Sequence, residues 1–498
     1  MKTTRILSIF TAAVALIGLT GCNDFLDTKQ YNAIDLDNGL TDANSINYAL
    51  NGTYSRLLYY GAAGNYSTLI GDYASDMVYN GGGLGSHLAS IYQFTYTDTD
   101  QGFNLIWNYG YKVIDNSARI IEACDQVLSK GNLTESELKS IKIYEAEARC
   151  LRAFSSLQLV NVFGHQVKVN GQDYSSMPGI VVIESPIEAY AHVERSTVGQ
   201  TYSQITTDLE KAIALFEEAD DRGSIYYFTL KSAYGLMARV QLYLENWPLA
   251  AEYAGKALDK AGIKTLTYDA TAYKALYNGG LSNTESMFAL AISNIDNNGS
   301  DSSGHFFANY GYSVSPYLYG LYASTDCRTS VMAFKNNKNW WGMTNPFNGG
   351  KFGDFGDATP NPDYATNYLV NAPEMFLIQA EAYANMEQPT QAQEALLVVA
   401  KRNSAITSVS DLPATKAAIL DFLYEERARE LFQEGFRLWD LRRWNIPGNF
   451  FAYRAPQVMF RHENINVADL VFPIPANEVN AGFGVEQNEG WEKFKLEL

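Results

Sequence analysis

The feature that most constrains the fold is a helical hairpin that occurs twice in the sequence. In the first copy, a helical pattern through Leu236 reaches Pro248, which opens a second helix with alanines three and six residues later. In the second copy, Leu377 stands the same twelve residues before Pro389, and the alanines recur at the same spacings. Proline costs no hydrogen bond at the first helical position, and alanines at helical spacing let two helices approach closely. The pattern predicts tetratricopeptide-type helix pairs that stack to bury a shared core.

Further helices are predicted from apolar residues that recur every three or four positions. Such periods run over 41–60 and 103–129. Thr134 and Glu137 have the spacing of a capping box, in which the hydroxyl and the carboxylate satisfy amide groups at a helix start. A long helix follows and ends before Gly164, which can supply the positive φ of a helix stop.

The composition of the chain changes between two helical regions. Residues 278–370 are dense in Gly, Asn, Ser, Asp and Tyr, include four prolines and show few helical periods. Loops of this length inside a folded body are more often binding surfaces than accidents. We therefore predict a mainly α protein in which helical repeats, at about 41–277 and about 371–445, flank a long irregular loop-rich ligand region.

The first residues predict export and lipidation. In 1–21, Lys2 and Arg5 precede an apolar run that is too short to span a membrane, which is typical of a secretory signal. A small residue precedes Cys22 directly after that run, as in a bacterial lipobox, in which the cysteine is diacylated and becomes the mature N-terminus. The alternative is an ordinary signal peptide with a chance cysteine. We expect the body, 22–498, to be held at the membrane by lipid only, since it has no further apolar run of about 18 residues.

Composition and motifs argue against several classes of function. The 498-residue chain carries 55 acidic and 37 basic side chains, and its net charge of -18 repels nucleic acid phosphates. It contains no His-Glu-x-x-His, Gly-x-Ser-x-Gly or phosphate-loop motif, and its five histidines lack metal-ligand spacing. We therefore expect no nucleic acid partner, no cofactor, no metal and no catalytic residue. A glycosidase needs only two carboxylates at a suitable separation, so this alternative stays open.

A column of acidic side chains near the C-terminus needs its own interpretation. Glu426, Glu430 and Glu434 repeat every four residues and so line one face of a helix; we call them the glutamate ladder. Carboxylate ladders can bind metals, but the many arginines within 427–443 favour an ion-pair network. The Asp-x-Arg element at 326–328 is likewise interpreted as a structural ion pair.

The sequence resembles the SusD/RagB family of Bacteroidetes outer-membrane lipoproteins along its whole length. The most specific block is 424–444, with Tyr-Glu-Glu-Arg, Glu-Gly-Phe-Arg and Asp-Leu-Arg-Arg-Trp in order, and Phe-Pro-Ile-Pro at 472–475 matches the terminal signature. The long helix at 147–164 and the Ala-Arg-x-x-Leu-Tyr helix within 231–254 also match. The resemblance implies four tetratricopeptide-like units, a looped ligand region and no catalysis. It further implies a lipid-anchored lid that faces the cell exterior and delivers oligosaccharides to a SusC-like TonB-dependent transporter.

Candidate ligand residues are chosen by the chemistry of sugars and by this resemblance. Sugars present apolar C–H faces and rings of hydroxyls, so a receptor needs exposed aromatic platforms with polar groups at their edges. In the family, such aromatic residues come from an early loop and from the irregular region in the middle of the chain. The candidates are Trp340, Trp341, Tyr79, Tyr310, Tyr312 and Asn309. The alternative is that the tryptophan pair pins its loop to the body and that the tyrosines are packing residues.

The leading hypothesis is therefore a cell-surface glycan-binding lipoprotein that works with a transporter. One alternative is a receptor for a peptide or another non-sugar nutrient, since helical repeats commonly grip extended chains in a concave face. A glycoside hydrolase is the third hypothesis. The abundance of aromatic residues in the loops favours the first.

Overall fold

The computed structural model describes residues 39–80, 88–332, 349–353, 361–447 and 466–494. Within these ranges, helix accounts for 58% of the residues and strand for 5%. The predicted mainly α fold class is therefore confirmed.

The described residues form seventeen α-helices. Those of the first half are α1 Ala43–Leu58, α2 Tyr66–Tyr73, α3 Ala89–Gln93, α4 Gln101–Ser129, α5 Glu135–Phe163, α6 Val198–Ala219, α7 Leu230–Tyr243, α8 Trp247–Ala261 and α9 Ala270–Ala275. Those of the second half are α10 Ser303–Ala308, α11 Pro316–Leu321, α12 Thr329–Met332, α13 Ala372–Asn385, α14 Pro389–Ala400, α15 Lys416–Leu431, α16 Arg437–Trp444 and α17 Ala476–Asn480.

The long helix α5 begins where the sequence predicts but ends for a different reason. Thr134 Oγ1 accepts a hydrogen bond from the amide of Glu137 at 3.3 Å, and the Glu137 carboxylate accepts from the amide of Thr134 at 2.9 Å, which confirms the capping box. The predicted positive φ at Gly164 is wrong, since this residue is extended with φ -124°. Glycine suits the position because an added Cβ would lie 2.9 Å from Cγ2 of Val160.

The two predicted hairpin copies are present and pack on each other. Helices α7 and α8 form the first copy, α13 and α14 form the second, and α8 contacts α13 although more than 100 residues separate them. Pro248 lies in the first turn of α8, and Pro389 is the first residue of α14. The alanines of both copies are buried, namely Ala251, Ala254, Ala392 and Ala395. The short side chains let the hairpins share one core, as the repeat pattern predicts.

Six short strands pair into three two-stranded antiparallel sheets. The strands are β1 Val78–Asn80, β2 Lys168–Val169, β3 Gln172–Asp173, β4 Ser286–Ala289, β5 Tyr312–Val314 and β6 Tyr368–Asn371. The pairs are β1 with β5, β2 with β3, and β4 with β6. The β4–β6 pair closes the irregular region at its two ends, and β6 leads directly into α13. The β1–β5 pair joins the middle of that region to the early part of the chain.

The irregular region contributes to the core as well as to the surface. Its described α-helices, α10 to α12, are only four to six residues long. Yet Phe306, Phe307 and Phe352 are all buried. An aromatic-rich excursion of this kind is anchored by its own rings, so the side chains between those anchors are held in defined positions.

Candidate functional site

The β1–β5 ladder brings the two predicted sources of ligand residues together. Tyr79 pairs with Ser313, and Asn80 pairs with Tyr312, although more than 230 residues separate the strands. The amide of Asn80 also donates to the hydroxyl of Tyr92 at 3.2 Å. The early and middle segments therefore meet at one place on the body.

Two of the predicted ligand tyrosines are buried at this ladder. Tyr79 and Tyr312 are essentially inaccessible to solvent. The ring of Tyr312 stacks on Phe306, with centroids 5.7 Å apart, and lies 4.8 Å from Tyr73. The expectation of exposed stacking faces is therefore wrong for these two residues, because pairing of the strands places both rings in the core. A ligand contact by either residue stays a prediction.

The polar rim of the ladder is formed by the end of α10. Ser302 caps this helix, its hydroxyl accepting from the amide of His305 at 3.1 Å. His305 Nδ1 lies 2.7 Å from Asp363 Oδ1 and 3.1 Å from the side-chain nitrogen of Asn309. Asn309 is exposed, and the half-buried Tyr310 meets the His305 ring edge to face at 4.8 Å. Two predicted ligand residues thus lie beside an imidazole and a carboxylate.

A continuous series of aromatic contacts extends from this rim. Successive ring centroids are 3.7 to 6.0 Å apart along Tyr310, Phe306, Tyr66, Tyr60, Tyr59 and Tyr109. Phe306 and Tyr66 are buried, and the other four rings are partly exposed. Burial raises the pKa of Tyr66, with a further contribution from Asp301, so its hydroxyl stays protonated at neutral pH. We call this set, with His305, Asn309 and Asp363, the aromatic face.

Three other predicted site residues lie outside the described residues. These are Cys22, Trp340 and Trp341. Their assigned roles, lipid attachment for the cysteine and stacking for the tryptophans, stay predictions.

The acids that precede Tyr79 have a structural role. Asp76 forms a two-pronged ion pair with Arg437, at 2.9 and 3.1 Å. Asp72 accepts hydrogen bonds from the amides of Gln433 and Gly435 at 2.7 and 3.3 Å. All of these side chains are buried. They tie the segment that leads into β1 to the turn before α16 and so fix one side of the aromatic face.

The glutamate ladder is neutralised by cations from other parts of the chain. Arg328 Nη1 lies 2.8 Å from the first and from the second glutamate, Arg402 lies 3.3 Å from the second, and Lys351 pairs with the third. Arg328 also binds Asp326 at 2.7 Å, as the Asp-x-Arg element predicts. The predicted ion-pair network is confirmed, and it links the irregular region to α15. The prediction that all three glutamates line one helix face is wrong for Glu434, because α15 ends at Leu431 and Glu434 lies in the turn that follows.

The cations of this network differ from the expected ones. Of the arginines within 427–443, Arg429 contacts the ladder, through Glu426 at 2.8 Å. The others bind elsewhere: Arg427 pairs with Asp440, Arg437 with Asp76, Arg443 with Glu381 and Asp440, and Arg442 with two backbone carbonyls. Neighbours in a helical sequence face different directions, so a cation close in sequence is seldom opposite the ladder in space.

The described residues contain no group of three or more His, Cys, Asp or Glu side chains that could hold a metal ion. No helix in the same part of the chain is both long enough and apolar enough to cross a bilayer. Cys124, Cys150 and Cys327 are buried free thiols.

Fold and site together define a helical-repeat protein in which the irregular region and the early helices share an aromatic, polar-edged face. Two family models match this chain: one described as starch-binding and associating with the outer membrane, over residues 24–242, and one of the SusD family, over residues 372–491. The chain belongs to the SusD/RagB family. Comparison with curated proteins gave no match.

Solved structures share this fold. A SusD superfamily protein from Bacteroides thetaiotaomicron VPI-5482 is 22% identical, with a TM-score of 0.77, over 90% of this chain and 99% of that one. A SusD superfamily protein from Bacteroides vulgatus ATCC 8482 is 24% identical, with a TM-score of 0.76 and the same coverage. A laminarin-binding SusD-like protein is 20% identical, with a TM-score of 0.67, over 90% of this chain and 99% of that one.

Sequence reasoning missed several members of the aromatic face. Tyr59 and Tyr60 follow a helix and precede a glycine, the same kind of context that drew attention to other tyrosines. Tyr109 lies within the period of α4 and resembles a packing residue. The pairing of His305 with Asp363 had no local signal, since 58 residues separate them.

Proposed function

We propose that this protein is a non-catalytic, lipid-anchored glycan receptor of the outer membrane that captures an oligosaccharide and delivers it to a SusC-like TonB-dependent transporter. The observation that carries the proposal is the aromatic face, where partly exposed rings adjoin an imidazole, an amide and a carboxylate. Membership of a family described as starch-binding supports the choice of ligand class.

The chemistry of the face suits a sugar. Partly exposed rings can stack against apolar C–H faces, and the side chains of His305, Asn309 and Asp363 can exchange hydrogen bonds with hydroxyls at the ring edge. Among the described residues, the His305 side chain bonds to Asp363 and Asn309, and no hydroxyl or thiol nucleophile bonds to it. This arrangement supports binding rather than nucleophilic catalysis.

Trp340 and Trp341 are the proposed principal stacking residues, and Tyr310 and Asn309 are proposed as further ligand contacts. Replacing either tryptophan with alanine should weaken glycan binding about tenfold, or about 1.4 kcal/mol, without a large change in melting temperature. The measurement is titration of the soluble chain without residues 1–22 against a panel of glycans and peptides, followed by tryptophan fluorescence. Tyr48→Ala is a matched control, since Tyr48 lies on α1 and is 74% exposed. Unchanged affinity in both tryptophan variants would remove the stacking assignment.

The same panel separates the alternatives. Binding to peptides and to no glycan would favour the receptor for a non-sugar nutrient. Release of shorter sugars on prolonged incubation would favour a hydrolase. Co-purification of the full-length protein with a TonB-dependent transporter from membranes tests the delivery step.

Lipid attachment at Cys22 is tested in washed cells. Cys22→Ala should release the protein from the outer-membrane fraction, because a body without its acyl chains loses the proposed anchor. Retention of the variant in that fraction would contradict the anchor.

A further inference from the structure

A second cleft lies on residues that the aromatic face does not use. It has a volume of about 610 Å³ and is lined by three segments, within 176–178, 192–197 and 479–487. That volume lies within the range of small-molecule binding sites. The cleft therefore has room for a saccharide ring or a short oligosaccharide.

One wall of the cleft is built by a close approach of two segments. The amide of Val193 donates to the carbonyl of Phe483 at 2.7 Å. Gly484 has φ +102°, and an added Cβ would lie 2.5 Å from the carbonyl oxygen of Val193 and 2.6 Å from the His192 ring. Glycine is therefore required where the two segments meet, and the side chains on either side of it are held at the rim of the cleft.

The cleft presents both donors and acceptors. Arg195 is fixed by hydrogen bonds to the carbonyls of Gly179, Glu486 and Phe163 at 2.9, 3.2 and 3.1 Å. Among the described residues, no carboxylate oxygen lies within 4 Å of its guanidinium. Burial lowers the pKa of Arg195 to about 10, so the group stays charged at neutral pH.

Other polar residues line the same cleft. The imidazole of His192 lies 3.5 Å from the carboxylate of Glu194, and both side chains are mostly exposed. Ser176 and Ser196 add two hydroxyls to the lining. The lining thus combines one guanidinium, Arg195, with the carboxylates of Glu194 and Glu486, so a neutral polyhydroxyl ligand fits this cleft better than an anion or a purely apolar partner.

Two exposed aromatic side chains lie close in sequence to residues that line the cleft. Tyr190 is 84% exposed, and Phe483, which lies between two lining glycines, is 36% exposed. Their ring centroids are 5.9 Å apart. Tyr190 also has φ +65°, a left-handed conformation that is uncommon for tyrosine. Binding sites often show exposed aromatic surface that is held in a strained conformation beside a polar cleft. Packing does not explain such a feature.

We propose that this cleft is a second saccharide-binding site, in which Tyr190 and Phe483 supply the stacking surface and His192, Glu194 and Arg195 bind hydroxyls at the ring edge. The inference rests on the proposed glycan-binding function and adds a subsite separate from the aromatic face. A chain with two such sites would bind a long glycan, or two branches of one glycan, more tightly than a chain with one site.

The test uses maltoheptaose and laminarihexaose as probes, since starch and laminarin are the glycans in the descriptions of the family model and of one similar structure. Calorimetric titration gives the stoichiometry, and hydrogen exchange with saturating probe shows which segments become protected. We expect two sites per chain, with protection over 188–196 and 482–487. Tyr190→Ala and Phe483→Ala should each remove that protection and one equivalent of binding, whereas Tyr48→Ala should change neither.

The outcomes separate this inference from the proposed function. Wild-type stoichiometry and affinity in the Tyr190 and Phe483 variants, with protection confined to other segments, would overturn the second site and leave glycan binding intact. Binding that depends on Tyr190 alone and survives Tyr310→Ala would support the cleft and remove the aromatic face. If the Tyr190 variant impairs capture by the transporter but not glycan binding, the cleft is a protein-docking surface and the inference fails. Failure of both probes to bind the wild-type chain would overturn both proposals.

Discussion

Replacing Arg328 with methionine would measure what the buried charge network contributes to the fold. Its guanidinium donates to Asp326, Glu426 and Glu430 at 2.7 to 2.9 Å, and all four side chains are buried. Methionine fills much of the same volume but offers no donor, so three carboxylates lose a shared cation. Removing one partner of a buried ion pair costs about 3–5 kcal/mol, because it leaves uncompensated charge in the interior.

The pKa of Glu426 gives a second measure of this magnitude. Burial by itself raises the pKa of this carboxyl, but the attraction of Arg328 and Arg429 outweighs burial and lowers the pKa from 4.5 to about 2. Because the folded-state pKa is lowered, the stabilisation is present above pH 4.5 and is lost as the pH falls towards 2. At neutral pH a lowering of this size corresponds to about 3 kcal/mol of stability, which Arg328 and Arg429 contribute together.

The assay is denaturant unfolding followed by tryptophan fluorescence. Arg119→Met is the control, since Arg119 binds Asp115 at 2.8 Å on the surface, where the two side chains are 30% and 32% exposed. The control should cost less than about 1 kcal/mol. The cost of Arg328→Met should also shrink on acidification, because the unneutralised carboxylates take up protons. Equal losses of stability in the two variants would refute the reasoning.

Two further predictions concern the turn that joins α15 to α16. Gly435→Ala should lower the free energy of unfolding, measured by thermal melting, by about 3 kcal/mol or more, because φ is +78° and an added Cβ would lie 1.5 Å from the carbonyl oxygen of Thr68. The control Gly482→Ala, with φ +77° and no atom within 4 Å of the added Cβ, should lower it by about 1–2 kcal/mol. Equal losses in the two variants would contradict the steric argument. Burial raises the pKa of Asp72 to about 7, so the stability that this group contributes is present below pH 3.8 and is lost as the pH rises through 7. In the Asp72→Asn variant the melting temperature should therefore fall less between pH 3.8 and 7 than in the wild type. An unchanged dependence of melting temperature on pH would show that Asp72 does not cause it.

Much of the fold could be predicted because its signals are local. These signals act over a few residues and so can be recognised in the sequence: the capping by Thr134 and Glu137, the helix-opening prolines Pro248 and Pro389, and the apolar periods. Less of the site could be predicted. The sequence placed Tyr79, Tyr310 and Tyr312 among the candidate ligand residues, and the structure places Tyr79 and Tyr312 in one ladder and Tyr310 at its rim. The sequence did not indicate which of those rings are buried.

The sequence by itself determined the helical framework and the two repeat hairpins, because each depends on spacing along a helix. The density of acids and arginines near the C-terminus also indicated an ion-pair network, but not which cations bind the glutamate ladder. Only the tertiary structure decided that Tyr79 and Tyr312 are interior, that Arg328, Arg402 and Lys351 neutralise the ladder, and that Tyr190 and Phe483 meet beside a cleft. These results depend on contacts between segments dozens to hundreds of residues apart. Such contacts are selected by the packing of the whole body, and no short stretch of sequence records them.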